Sequence, residues 1–308
     1  MDKRYLLLTL KGIAMGAADV VPGVSGGTIA FITGIYDELL GSIKKIDATA
    51  IKLFFTGKFK QFMQYINGYF LLSVLLGIAI SIFSLAKLMT WLLTNHPIQI
   101  WSFFFGLIIA SSILVATTVK EWNWKTILSS IIGATVAYYI TVASPTTTPD
   151  SYWYIFLSGA IAICAMILPG ISGSFILLLL GKYSFIMDSI SQFKIDIMAV
   201  FAVGAAIGII SFSHFLSWLL KKYNNLTIAL LTGFMVGSLN KVWPWKETLE
   251  SYIDRHGVEQ AITQRSILPT TFEQLTGQEA HIVEAIIYCI IGLVLVSSIE
   301  FIAKKLQK

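Results

Sequence analysis

Long apolar runs separated by short polar stretches dominate the chain, and two of those runs are interrupted by nearly the same small-residue phrase. Apolar segments cover about 12–43, 69–93, 98–119 and 126–143, and a second series covers about 153–190, 197–220, 226–243 and 281–303. Runs of roughly 20 apolar residues are long enough to cross a bilayer as helices. The first segment of each series breaks at Pro-Gly: VVPGVSGGTIAF runs from Val20 to Phe31, and ILPGISGSFILL from Ile167 to Leu178. Pro suits a first helical turn, while Gly lets backbones approach closely. Each broken segment therefore predicts a re-entrant or broken helical hairpin, followed by three plain spans.

The two series echo each other residue by residue. At an offset of 147, Gly34-Ile35-Tyr36 falls on Gly181-Lys182-Tyr183, and Ser42-Ile43 on Ser189-Ile190. At an offset of 127, Gly77, Ser84, Trp91-Leu92-Leu93, Gly106 and Ser111 fall on Gly204, Ser211, Trp218-Leu219-Leu220, Gly233 and Ser238. Apolar composition alone does not align Gly, Trp and Ser in this way. The chain is an internal repeat, residues 1–143 forming one unit and 153–308 the other. A hairpin that enters and returns makes no net crossing, so three spans leave the second unit inverted. The expected fold is an all-α polytopic membrane protein of two inverted-topology repeats, an architecture of transporters with a site near the bilayer midplane.

Composition and charge agree. The chain is 56% hydrophobic and only 13% charged, against about 25% in soluble domains. Its net charge of +5 follows topology and forms no basic face for nucleic acid. With both termini cytoplasmic, Lys3, Arg4, Lys11, Lys44, Lys45, Lys52, Lys58, Lys60, Lys120, Lys125, Lys221, Lys222, Lys304, Lys305 and Lys308 all fall inside. The outside receives 95–98, 144–151 and a loop at 244–280 that holds six acidic residues against Lys246, Arg255 and Arg265. Lys3 and Arg4 ahead of YLLLTL look like the start of a signal peptide, yet Lys11 interrupts the run and the next segment recurs later, so retention is expected. Two complete crossings would have the same parity as a hairpin. The piece between Lys11 and Pro22 has about ten residues, too few for ~30 Å, which favours re-entrant hairpins.

Site chemistry is expected at the two motifs. The backbone N–H groups of Gly23, Val24, Ser25, Gly26 and Gly27, with the Ser25 and Thr28 hydroxyls, would lead one half-helix with unpaired donors. Gly170, Ile171, Ser172, Gly173 and Ser174 would do the same in the second copy. For one copy, helix packing through small residues and an anion site are equal readings; for two copies in an inverted repeat, a shared anion site is preferred. Ionisable groups inside apolar segments are costly and usually functional. Lys87 and its repeat counterpart His214 would add positive charge; Asp19, whose counterpart is Met166, is the candidate relay for a proton or sodium, with His214 as a second. Asp37, Glu38 and Glu300 are expected at interfaces, Lys182 and Lys241 to snorkel, and the eight Trp residues to form interfacial belts. Cys164 and Cys289 lie in apolar segments, and no Cys/His metal cluster, P-loop or nucleophile elbow occurs, so no cofactor is expected.

The stretch GIAMGAADVVPGVSGGTIAFITGIYDELL, with its partner ILPGISGSFILLLLGKY, resembles a bacterial membrane family long known only as a domain of unknown function. Its members are regarded as polyprenyl-phosphate transporters of the PopT type. The resemblance covers essentially the whole chain and implies a cytoplasmic-membrane flippase returning undecaprenyl phosphate to the cytoplasmic leaflet for reuse in cell-envelope synthesis. Undecaprenyl pyrophosphate phosphatases are the rival resemblance, with an Arg in a PGxSRSG motif beside catalytic glutamates. PGVSGGT and PGISGSF lack that Arg, and no Glu-rich motif precedes them, which favours carriage over cleavage. A small-anion transporter using the same cradle is the remaining alternative. Oligomeric state, lipid chain length and the role of 244–280 are left open by the sequence.

Overall fold

The computed structural model describes residues 3–19, 25–145, 148–253 and 259–306. In chain order the first unit comprises α1 (Lys3–Asp19), α2 (Gly26–Ile32), α3 (Tyr36–Lys44), α4 (Ala48–Phe55), α5 (Phe59–Tyr65), α6 (Gly68–Asn95), α7 (Pro97–Thr117) and α8 (Trp124–Val142). The second comprises α9 (Tyr152–Ile167), α10 (Gly173–Leu179), α11 (Tyr183–Ser191), α12 (Ile195–Lys222), α13 (Asn224–Ser238), strands β1 (Lys246–Ile253) and β2 (Glu259–Ser266), α14 (Pro269–Thr276) and α15 (Ile282–Leu306). The limits of α2 and α3 fall on those of α10 and α11 at the 147 offset, and α6 falls end for end on α12 at 127.

Packing recurs with the sequence. α1 lies on α6 as α9 lies on α12, and α7 lies on α15 as α13 lies on α8. Missing side chains make these crossings close. A Cβ added at Gly12 would stand 2.3 Å from the Val74 carbonyl oxygen, and its mate Gly159 would meet that of Phe201 at 2.4 Å. Gly106 faces the carbonyl of Cys289 and Gly233 that of Ser130, each with room for no Cβ beyond 2.0 Å. Gly292 meets Phe103 as Gly133 meets Leu230. These last contacts expose a third offset, 159, which carries Ser130 and Gly133 of α8 onto Cys289 and Gly292 of α15.

Each short helix doubles back along its predecessor. Lys11 Nζ donates to the Thr33 carbonyl at 2.7 Å, and Arg4 pairs with Glu38 at 2.6 Å, so the end of α2 returns beside the middle of α1 and the start of α3 beside its first turn. In the second unit Thr148 Oγ1 donates to the Leu180 carbonyl at 2.7 Å, which brings the end of α10 back to the start of α9. Gly34 and Gly181 have φ of 71° and 65°, a conformation that glycine adopts without strain and that turns the chain into α3 and α11. The bend between α10 and α11 is 112°.

Several expectations change. α1 begins at Lys3 and runs through Lys11, so 17 residues, about 25 Å, precede the break instead of the short piece expected. Among the described residues four helices are long and apolar enough to cross a membrane, lying in α6, α7, α8 and α12, or up to five if the bent pair α10–α11 is one span. α13 stops at Ser238, short of the expected 243, and turns lead from it to a Trp243-Pro244 step that disfavours helical backbone at Trp243. The stretch between the first two apolar segments carries α4 and α5. The 244–280 segment departs from an all-α fold: β1 and β2 pair antiparallel, Lys246 opposite Ser266 and Glu247 opposite Arg265. It is tied down by Trp243 Nε1 donating to the Ile267 carbonyl (2.8 Å) and Trp245 Nε1 to that of Ala280 (2.9 Å). Trp245 is therefore a core residue with Ile98 and Ala285, not part of a lipid belt. Lys182 does not snorkel either. It is 1% exposed, donates to the Thr148 carbonyl at 2.6 Å and pairs with Asp150, holding the α10–α11 turn.

Candidate functional site

The two Pro-Gly motifs meet in the centre of the fold. Ser25 caps α2 in extended backbone, its Oγ accepting from the Gly27 N–H at 3.0 Å. The same hydroxyl donates to the Met166 carbonyl at 3.0 Å, at the end of α9. Thr28 Oγ1 accepts from the Gly170 N–H at 3.1 Å, and the Tyr36 hydroxyl donates to the Ile167 carbonyl at 3.0 Å. Ser25 and Thr28 are 0% and 1% exposed. Gly27 makes the approach possible, because a Cβ there would stand 2.4 Å from the Ile167 carbonyl oxygen. Tyr36 was missed in the sequence, although its place in the Gly34-Ile35-Tyr36 echo was a signal.

These contacts consume donors expected to stay open. The Gly26 N–H is bound by Asp19 Oδ1 at 2.7 Å, the Gly27 N–H by Ser25, and the Gly170 N–H by Thr28. A buried N–H seeks a partner, and the motifs find theirs in the other half, in the Ser25 cap or in Asp19 at the end of α1. The first copy is thus a clasp in this structure. Gly23 and Val24 lie outside the described residues.

The second copy faces open space. Ser172, Gly173 and Ser174 line a cavity of about 240 Å³ together with Asp19, Met166 and Tyr183. Ser172 and Ser174 hydroxyl oxygens lie 2.8 Å apart, forming a hydroxyl pair at the start of α10. Ile171 is buried behind them. Asp19 and Met166 are repeat counterparts, and the cavity joins them: one wall carries a carboxylate, the other a thioether. Tyr183, the repeat mate of Tyr36, lines the same space. His214 does not join it. It is exposed on α12, with Nδ1 2.9 Å from the Ile210 carbonyl of its own helix. Lys87 lies on α6, and its side chain is outside the described residues. Among the described residues no three His, Cys, Asp or Glu side chains cluster as a metal site.

Two lysines near the second motif carry a signal that the sequence did not give. Lys241, past the end of α13, sets Nζ 4.1 Å from the centre of the Phe175 ring. Lys246, in β1, sets Nζ 3.7 Å from the Trp101 ring and donates to the Lys241 carbonyl at 2.6 Å. Loss of surrounding water pushes Lys241 down to about 8. Lys246 lies well below the ordinary lysine value through burial and the neighbouring Lys241 charge.

Over residues 15–260 the sequence matches a family described as undecaprenyl phosphate translocase-like. The chain belongs to this family. Relatives of the undecaprenyl phosphate translocase-like chain include a polyprenyl-phosphate transporter of Vibrio cholerae, 48% identical over 301 residues and 98% of each chain. A polyprenyl-phosphate transporter of Staphylococcus aureus is 36% identical over 256 residues, covering 76% of this chain and 85% of its own. No solved structure matches. Family and relatives are named for transport and not for catalysis, so this member is a membrane transporter and not an enzyme.

Proposed function

We propose that the protein carries polyprenyl phosphate across the bacterial cytoplasmic membrane, from the outer to the cytoplasmic leaflet, in the recycling of a cell-envelope lipid carrier. The observation that carries this reading is the junction of the two motif copies through Thr28 and Gly170, beside a cavity lined by Ser172, Ser174 and Asp19. In this reading the units are inverted repeats, each opened by a re-entrant hairpin, with both termini cytoplasmic. Reciprocal glycine crossings and the return of α2 and α10 beside α1 and α9 support it.

The Ser172 and Ser174 hydroxyls donate to the phosphate oxygens, and the prenyl tail stays in lipid along the exposed apolar faces of α12 and α6. The clasp between motifs is the pivot about which the two units rock. Lys87 completes the positive side of the path. A carboxylate facing a phosphate is repulsive, so Asp19 takes up a proton or sodium ion when the headgroup is bound and releases it on the cytoplasmic side. Such coupling, or a steep lipid gradient, is needed because moving one negative charge toward a negative interior costs about 2.3 kcal/mol per 100 mV, and a phosphate carries one or two.

Replacing both Ser172 and Ser174 with Ala tests the cradle. Reconstituted transport of polyprenyl phosphate is expected to fall by roughly tenfold or more, the loss of one or two charge-assisted hydrogen bonds. An unchanged rate in folded double variant removes the hydroxyl pair from the mechanism.

A further inference from the structure

Two ammonium groups come together where the chain passes from α13 into β1, beside Phe175 of α10, and neither has an acidic partner among the described residues. Glu247, the next residue after Lys246, is engaged by Arg265 at 2.7 Å. Lys246 Nζ spends one donor on the Lys241 carbonyl and rests over Trp101. Lys241 Nζ rests over Phe175 and makes no hydrogen bond among the described residues. An ammonium has three donors, and contact with a ring face holds it in place without using them. Two like charges withdrawn from water without a counter-charge are unfavourable, and a bound anion offsets that cost.

Neighbouring elements give the pair a fixed address. Trp101 stands one turn inside α7, and Phe175 follows Ser174 directly in α10. Asn240 holds the turn from both sides: its carbonyl accepts from Ser266 Oγ at 3.0 Å, and its amide donates to Thr141 Oγ1 at 2.8 Å. The Lys241 backbone is thereby pinned between α8 and β2. This rigidity separates the pair from the solvated lysines of the surface.

We propose that Lys241 and Lys246, framed by Phe175 and Trp101, form a second anion site that takes a phosphate monoester, separate from the Ser172–Ser174 cavity. The ligand chemistry is shared by a lipid headgroup and by free inorganic phosphate. The proposal concerns binding and not movement, and so goes beyond the transport reading.

The test uses the full chain purified into phosphatidylcholine nanodiscs. Inorganic phosphate is titrated by calorimetry, and phosphatidic acid, a phosphate-monoester lipid, is introduced into the disc with Trp fluorescence as the readout. The Lys241→Met/Lys246→Met variant is expected to lose roughly tenfold or more in affinity, the loss of at least one hydrogen bond to a charged group. Methionine leaves no unpaired charge behind, and an unaltered melting profile checks the fold. Lys125→Met, which removes an exposed ammonium over Trp124, is expected to bind as the wild type does. Binding of inorganic phosphate assigns the free anion, and binding of phosphatidic acid alone assigns the headgroup; both support the site. Equal affinity in wild type and double variant, or no binding of either probe by the wild type, overturns it.

Discussion

Thr28 Oγ1 accepts a hydrogen bond from the Gly170 N–H at 3.1 Å, tying together two positions 142 residues apart in the chain. The threonine belongs to one copy of the Pro-Gly motif and the glycine to the other. Both groups are buried, so no water can substitute for either. Thr28→Val keeps the shape and removes the acceptor, leaving a buried N–H without a partner. A loss of about 1–3 kcal/mol in unfolding free energy is expected in detergent, with Thr28→Ser recovering most of it. Equal stability of wild type and Thr28→Val would show that the clasp does not hold the halves together.

Gly27 and Gly41 make opposite predictions from the same substitution. A methyl group at Gly27 would lie 2.4 Å from the Ile167 carbonyl oxygen, whereas one at Gly41, within α3, meets nothing within 4 Å. Gly27→Ala should destabilise by about 1–3 kcal/mol through overpacking. Gly41→Ala should stabilise by roughly 0.5–1 kcal/mol, since glycine costs entropy in a helix. Thermal unfolding of the two variants side by side decides the point, and the same sign for both would contradict the packing described.

Asp19→Asn preserves an oxygen that can accept from the Gly26 N–H, so the hairpin is expected to fold normally. What it removes is the ability to gain and lose a proton or hold a sodium ion. Transport rates measured across pH and sodium concentration should become flat in this variant. A profile identical to that of the wild type would exclude Asp19 as the coupling group.

Stability should climb with pH in the alkaline range. Lys241 is pushed down to about 8 from the ordinary 10.5 because its ammonium is stripped of water. The unfolded chain therefore holds the extra proton between these values, and stability rises as pH rises through that window. Below about 8 both states are protonated and the penalty is fully present. Lys246, lowered by burial and by Lys241, acts in the same direction. Chemical unfolding of wild type and Lys241→Met between pH 7 and pH 10.5 should show a steeper rise in the wild type.

Much of the helix plan was legible because the repeat was written in residues that packing cannot exchange. A Cβ added at Gly77 or Gly204 would stand 2.2 or 2.1 Å from a facing carbonyl oxygen, so both positions must stay glycine and they align. The third offset is written only in Ile131-Ile132-Gly133 falling on Ile290-Ile291-Gly292, a short match inside apolar runs, because most other positions differ, Ser130 giving way to Cys289. The motifs were correctly found to be paired, since Ser25, Thr28 and Gly170 lie together. The state of their N–H groups was not readable: whether a donor is open depends on which carbonyl or hydroxyl lies across from it. Lys182 shows the same limit. Its place near a segment end suited snorkelling, yet Thr148 and Asp150 fold over it and bury it.

The central claim is that the site carries a lipid phosphate and does not cleave it. Purified protein reconstituted into liposomes with polyprenyl phosphate, and scored for the lipid exposed to a membrane-impermeant reagent, tests it most directly. The account predicts rapid exchange between leaflets and no inorganic phosphate released when polyprenyl pyrophosphate is supplied. Lipid that stays in its starting leaflet, or phosphate released from the pyrophosphate, would contradict it.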